Sequence, residues 1–377
     1  MPGSMEDTTQ KHGPVTSALA TAGLALVLSA ALGRRPAPGV RGHEPSDRED
    51  GTSAHDPHEA AREPGRGRAA AQPQEIPAKG WWDITWRVYE EIGRDRILAV
   101  AAGVTFYGLL ALFPAIGAFV SLYGLVADPA TISEHLNTLA GFLPSGALEV
   151  IGGQIQRITT GSQTALGFAF FSSLAISIWS ANAGMKAVFD ALNVAYGETE
   201  KRNFFILNLT SLFFTFAGII FLVIAMSGVV VVPVILNFLG LGGETDWIVR
   251  VGRWPVLLLL TIFALAVLYR YGPSRDHAQW SWLAPGSILA AIGWMVFSML
   301  FSWYVGSFGN YNETYGSLGA AIGFMTWMWL SVTIILVGAE LNAETEHQTA
   351  HDTTEGPHAP LGARGARMAD SIGAAKA

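Results

Sequence analysis

Hydrophobic residues in this chain gather into long unbroken runs instead of alternating with polar ones, which predicts helices and argues against strands. A bilayer core roughly 30 Å thick is crossed by about 20 apolar helical residues, because an unpaired backbone amide is too costly to leave in hydrocarbon. Six runs meet that need: Leu98 to Val126, Ala165 to Gly184, Phe204 to about Leu236, Pro255 to Leu268 with its extension to Gly252 and Tyr269, Leu283 to Val305, and Leu318 to Ala339. The expected fold is all-α, a polytopic transmembrane bundle with six core helices and disordered tails.

The intervening segments have their own periodicity. Between the first two runs, Leu136, Leu139 and Leu143, then Leu148, Ile151, Ile155 and Ile158, recur at helical spacing and are separated by Pro144 and Gly146. Two short amphipathic helices outside the membrane are expected there. Asp83 to Arg96 places Trp82, Trp86, Tyr89 and Ile92 or Gly93 on one face, the pattern of an interfacial elbow leading into the first span. Val15 to Leu32 is apolar but short and Ala-rich. A cleaved signal peptide would export the Arg-rich arm behind it, which leaves an extra transmembrane helix or a surface-lying segment. Arg34 to Lys79 and Thr349 to Ala377 offer few apolar side chains to offset the entropy of ordering, so both are expected to be disordered. The expected organisation is an N-terminal arm over 1–80, a membrane domain over 81–346 and a cytoplasmic tail over 347–377.

Composition agrees with this pattern. Only 14% of residues are charged, against about 25% in soluble domains. Charged residues concentrate in the tails and in short islands, so the net charge of -7 does not describe a binding face. Arg87, Arg94 and Arg96 precede the first span, Lys186, Lys201 and Arg202 follow the second, and Arg270 and Arg275 follow the fourth. Retention of positive charge inside then places both ends of the membrane domain in the cytoplasm. Trp81, Trp82, Trp86, Trp254, Trp280 and Trp282 fall at span ends, where amphipathic rings favour the headgroup region. The chain has no cysteine, which removes disulfides, thiolate metal sites and a Cys nucleophile.

Polar residues inside spans are costly and therefore informative. Ser173, Ser177, Ser180 and Gly184 form a small, hydroxyl-bearing stripe on the second helix, suited to a wet cavity or to close helix packing. Asn182, Lys186, Asp190 and Asn193 form a second face, with Lys186 and Asp190 spaced as an i, i+4 pair and Glu340 as a candidate partner at a cytoplasmic gate. Pro114 marks a candidate helix break in the first span, and Pro233 another late in the third. Gly316 with Ala320, and Gly319 with Gly323, are spaced for a neighbouring backbone to approach the last helix. Tyr311, Glu313 and Tyr315 place polar groups near that junction, as in an outer vestibule. Most histidines lie in the tails, so neither a metal nor another cofactor is expected. No Walker loop, dinucleotide fingerprint, nucleophile elbow or zincin motif occurs.

Several motifs carry a family resemblance: AAGVTFYGLLALFP at Ala101 to Pro114, FDALNVAYGETEKR at Phe189 to Arg202, PG at Pro285 and Gly286, YNETYGSLGA at Tyr311 to Ala320, and GAELNAE at Gly338 to Glu344. In their order and spacing the sequence resembles the YihY/BrkB-like (virulence factor BrkB) membrane proteins, historically labelled ribonuclease BN. The resemblance implies a six-helix protein of the bacterial inner membrane with both termini inside. Three functions follow as expectations, in this order: transport or export of a small or amphipathic, lipid-like solute; a membrane scaffold or envelope-assembly factor without transport; and a ribonuclease. An enzyme is not expected. The expected partners are the lipid bilayer and an unknown solute, with no nucleic acid, and assembly into a homo-oligomer stays open.

Overall fold

The computed structural model describes residues 60–126, 163–226, 244–308 and 317–376. Among these, seven α-helices follow one another: α1 (Ala78–Arg94), α2 (Ile97–Val126), α3 (Gln163–Ala195), α4 (Phe204–Met226), α5 (Glu244–Tyr271), α6 (Trp280–Phe308) and α7 (Ser317–Glu346). The six helices α2 to α7 fall on the six apolar runs, and among the described residues pairing between strands is limited to one isolated bridge, Ala278 with Thr354. Among the described residues, four stretches are long and apolar enough to cross a membrane: Phe204–Phe221, Val251–Tyr271, Trp280–Tyr304 and Ile322–Glu346. The expected helices between residues 129 and 163, the segment Val15 to Leu32, Pro233, Tyr311, Glu313, Tyr315 and Gly316 all lie outside the described residues.

Burial shows what surrounds the helices. Only 6% of the Val251–Tyr271 stretch is buried within the protein, and Val256, Leu259 and Phe263 point outward. Phe213 on α4 and Leu300 and Trp303 on α6 extend the same apolar surface. A patch of this extent is incompatible with water and requires hydrocarbon around it. The protein is therefore embedded in a membrane.

The packed core sits toward one end of the bundle. Ile97, Ala101 and Val104 of α2 meet Ala191, Leu192 and Ala195 of α3, Leu265 and Tyr269 of α5, Leu283 and Ala290 of α6, and Leu336, Ala339 and Ala343 of α7. Alanine dominates because lipid gives helices no hydrophobic reason to associate, so close van der Waals approach must hold them together. The tightest approach is between α6 and α7 at Gly286 and Gly338. A Cβ on Gly338 would lie 2.7 Å from the Gly286 carbonyl oxygen, and one on Gly286 would overlap the Gly338 carbonyl. At Gly323, expected to be a packing position, a Cβ would meet nothing within 4 Å. Among the described side-chain positions, the close approach on α7 comes toward its C-terminal end, where neighbouring helices converge. Gly319 and Ala320 fall in the first turn of α7, and α2 runs without interruption through Pro114. Membrane helices tolerate an internal proline when its freed carbonyl is satisfied nearby.

Helix α1 lies apart from the spans. Asp83, Ile84, Arg87 and Val88 face inward, while Trp82, Trp86 and Tyr89 are exposed and their rings follow one another along the helix. This is the aromatic face that the sequence predicts for an interfacial helix. Trp282 departs from expectation. It is fully buried under α1, in a cluster with Ala70, Ile76, Ile84 and Val88, and so does not lie at a lipid boundary.

The largest departure concerns the tails expected to be disordered, because residues 60–77 and 347–376 are ordered against each other and against the bundle end. Arg68 donates to the carbonyls of Gln348 at 3.2 Å and Gly373 at 2.8 Å, and its own carbonyl accepts from the Ala350 amide at 2.7 Å. Arg364 holds the Ala369 and His351 carbonyls at 2.7 and 3.0 Å. Asp83 accepts from Arg66 at 2.6 Å and from the Lys376 amide at 2.9 Å, and Asp352 accepts from the Ala359 amide at 2.8 Å. Polar side chains satisfy the backbone here, a means of ordering that apolar content does not reveal.

These acids make the cap sensitive to pH. Burial pushes the Asp83 carboxyl up, but Arg66 and the Lys376 amide outweigh it and hold the group below the usual aspartate value of 3.8. Asp352 is likewise raised by burial and lowered on balance by the Ala359 and Thr354 amides. A carboxyl depressed in the folded state contributes stability above its unfolded value, and that contribution is lost as pH falls through the depressed value. A spin label at Ala374→Cys is expected to be immobile at neutral pH and to become mobile on acidification below 3.8. In Asp83→Asn the label is expected to be mobile already at neutral pH. A label equally immobile throughout would refute the cap.

Candidate functional site

Two polar groupings stand out against the apolar bundle. The first lies between α3 and α4. The Asn182 amide donates to the Asn208 side-chain oxygen at 3.3 Å, Lys186 donates to the same oxygen at 2.5 Å, and the Ser211 hydroxyl donates to the Asn182 oxygen. Lys186 also lies over the Trp179 ring, 5.9 Å from its centroid. The expected pairing of Lys186 with Asp190 is absent. Lys186 turns to Asn208 of the neighbouring helix, leaving Asp190 exposed. Ser177 is buried and Ser180 half-buried, while the Ser173 side chain is outside the description. Gly184, at the end of the serine stripe, lies against the backbone of Tyr107 and Gly108 in α2. Asn208 and Ser211 carry no distinctive signal in the sequence, because the short polar residues of this run, Thr210 and Thr215 among them, can bond their own helix backbone as readily as a neighbouring helix, although Asn208 falls two turns from the charged Lys201 and Arg202 island.

The second grouping closes the packed end of the bundle, and the GAELNAE motif supplies its centre. Glu340, Asn342, Glu344 and Glu346 are all buried, and each turns toward a different element. Asn342 accepts the Gly286 amide of α6 at 2.7 Å. Glu344 pairs with Arg87 of α1, which also donates to Gln348 at 2.8 Å. Glu346 accepts from Arg275, at 2.9 and 2.7 Å on its two oxygens, and the Arg275 guanidinium covers the Tyr196 ring at 4.8 Å. Glu340 is fully buried, and neither of its oxygens has a hydrogen-bond partner. Its acidic neighbours are Asp95, Glu344 and Glu91, so it belongs to this grouping and not with Asn182 and Lys186.

The FDALNVAYGETEKR stretch docks onto the same end. Asn193 donates to Glu200 at 3.2 Å and accepts the Ser274 amide at 2.7 Å. Arg202 grips Glu200 at 2.7 Å, donates to the Gly272 carbonyl at 2.8 Å, and lies 4.9 Å from the Phe189 ring centroid. Asn193 is thus a tether between the α3 end and the α5–α6 connection. Gly197 turns the chain at φ +62°, in the left-handed region that suits glycine. The motifs separated in sequence therefore meet in space, around buried ion pairs that fix how α1, α3, α6 and α7 end.

A cavity of about 490 Å³ opens beside this cluster, bounded by Glu91, Arg94 and Asp95 of the α1–α2 junction, Glu344 and His347 of the α7 end, and Arg367 of the tail. Among the described residues, no group of three or more His, Asp or Glu side chains is arranged to hold a metal ion.

The virulence factor BrkB family model matches residues 88–362, from the middle of α1 through α7 into the ordered tail. A ribonuclease-like protein of Bacillus subtilis, YfkH, is 32% identical over 251 residues, covering 64% of this chain and 88% of that protein. A UPF0761 membrane protein of Nitrosospira multiformis is 24% identical over 72% of this chain, which spans only 62% of that relative's length. A UPF0761 membrane protein of Histophilus somni is 24% identical, over 66% of this chain and 85% of its own. No solved structure matches. The match covers both the membrane helices and the clustered motifs, and the chain belongs to the virulence factor BrkB family of bacterial membrane proteins.

Proposed function

We propose that this protein transports or exports a small or amphipathic, lipid-like solute across the bacterial inner membrane, with all six long helices crossing the bilayer. The observation that carries this reading is the ladder of Asn182, Lys186, Asn208 and Ser211 between α3 and α4. Hydrogen-bonding groups at membrane depth are expensive, and their usual use is to line a path for something polar. Arg87, Arg202, Arg270 and Arg275 all gather at the motif-bearing end, which supports a cytoplasmic placement of that end by the positive-inside rule.

The test is flux from vesicles reconstituted with wild type, with Ser177→Leu and with Asn182→Leu, across a panel of small solutes and fluorescent lipids. The expected result is wild-type flux above empty vesicles, with both variants reduced at least tenfold. A panel-wide absence of flux from folded wild type would remove the proposal. The second reading, a scaffold without transport, draws on the ordered cap, whose arginine-bound tails form a fixed surface at the bundle end. It predicts that same absence of flux. The printed name of the Bacillus relative raises ribonuclease activity as a third reading, which cleavage of RNA by the purified chain would support.

A further inference from the structure

Glu340 is an unusual residue to find at the packed end of a membrane helix. It is fully buried, and neither carboxyl oxygen has a hydrogen-bond partner. Its carboxyl faces that of Asp95, which caps α1 with its amide on the Glu91 carbonyl at 2.8 Å and borders the 490 Å³ cavity. Arg96 follows at φ +54°, a left-handed conformation that reverses the chain between α1 and α2.

The surrounding cations are engaged elsewhere. Arg87 holds Glu344, Arg94 holds Glu91, and Arg367 donates through its amide to Glu198 and through its guanidinium to the Gly197 carbonyl. His347 lies against Glu344, at 3.4 Å. On the α3 side the neighbour is Tyr196, whose ring lies under Arg275 and whose phenol burial pushes up, so that it stays neutral. Among the described residues, neither Glu340 nor Asp95 forms an ion pair.

Two facing carboxylates, one fully buried and the other half-buried, with no ion pair to either, repel each other, and sharing one proton is the least costly relief. A bound metal ion would be the alternative relief, but the acids and histidines here do not reach a metal-holding arrangement. We infer that Glu340 and Asp95 form a proton-binding carboxyl pair, loaded with one proton at neutral pH and reached from water through the cavity between the α1–α2 junction and the tail. Burial raises Asp95 against the opposing pull of its contact with the Glu340 carboxyl and, more weakly, of Arg94 and Arg367, which agrees with this geometry. The inference stands on the packed end alone and holds whether or not the bundle moves a solute.

The test is infrared spectroscopy of the purified full chain in lipid at neutral pH. Wild type is expected to show the C=O stretch of a protonated carboxylic acid, shifting on exchange into heavy water. Glu340→Gln should remove it, a loss of one protonated carboxyl per chain, and Asp95→Asn should shift its frequency, because the buried Glu340 keeps the proton but loses its carboxyl partner, while Glu344→Gln, whose wild-type carboxylate is held by Arg87, should leave it unchanged. Two variants on separate elements guard against misfolding of either one. A wild-type spectrum without the band would overturn the inference, as would a band that survives Glu340→Gln, one that Asp95→Asn leaves unshifted, or one that responds to Na⁺ instead of pH. Because the readout needs no transported solute, a present band with absent flux would sink the transport reading alone.

Discussion

Arg275→Ala is expected to be among the most destabilising single substitutions in the chain, at roughly 3–5 kcal/mol, the range found when one partner of a buried ion pair is removed. Its side chain is 1% exposed and that of Glu346 is not exposed at all. Truncating the arginine leaves the Glu346 carboxylate with the Thr353 hydroxyl, at 3.0 Å, as its remaining side-chain donor. It also uncovers the Tyr196 ring, so the ends of α3 and α7 lose their common clamp. The magnitude comes from the stranded charge and not from the attraction itself. The double variant Arg275→Met with Glu346→Leu is accordingly expected to recover most of the loss. Thermal unfolding of detergent-purified protein decides the matter, and a single variant as stable as the double would contradict the account.

The second large effect is steric. Replacing Gly338 by Ala would set a Cβ 2.7 Å from the Gly286 carbonyl oxygen, 2.7 Å from the Tyr269 hydroxyl and 2.8 Å from the Ala290 Cβ. Two of these neighbours cannot yield freely. The Gly286 amide is held by Asn342 at 2.7 Å, and the Tyr269 hydroxyl by the Ile335 carbonyl at 2.7 Å. Overpacking of this kind costs about 1–3 kcal/mol, and more where the backbone cannot shift. Gly323→Ala serves as the control on the same helix. With nothing within 4 Å, it should change stability by no more than about 0.5 kcal/mol. Equal loss at the two positions in thermal melts would show that α6 and α7 do not meet as described.

The helices were legible in the sequence because hydrocarbon imposes one strong rule, that long apolar runs become helices. The exposed face of α1 was legible too, since Trp82, Trp86 and Tyr89 repeat at helical spacing. What stayed hidden depends on tertiary partners. Lys186 had Asp190 one turn away in sequence, yet Asn208 from another helix takes its proton donors, a choice that no local spacing encodes. Glu340 was visible as a costly residue, but its neighbour Asp95 lies far away in the chain, across the α1–α2 turn. The tail was misread for a different reason. Low apolar content argues against a hydrophobic core, whereas Arg68, Arg364, Asp83 and Asp352 order the chain by binding its carbonyls and amides.

Lipid contact around α4, α5 and α6 is the claim on which the rest depends, and the lack of native cysteine allows it to be measured cleanly. Spin labels placed singly at Leu259→Cys on α5 and His358→Cys in the tail, in reconstituted bilayers, report their surroundings through relaxation by oxygen and by a water-soluble nickel chelate. The Leu259 label is predicted to respond to oxygen and resist nickel, and the His358 label to do the reverse. A Leu259 label relaxed by nickel as strongly as the His358 label would place that helix face in water and contradict the membrane bundle.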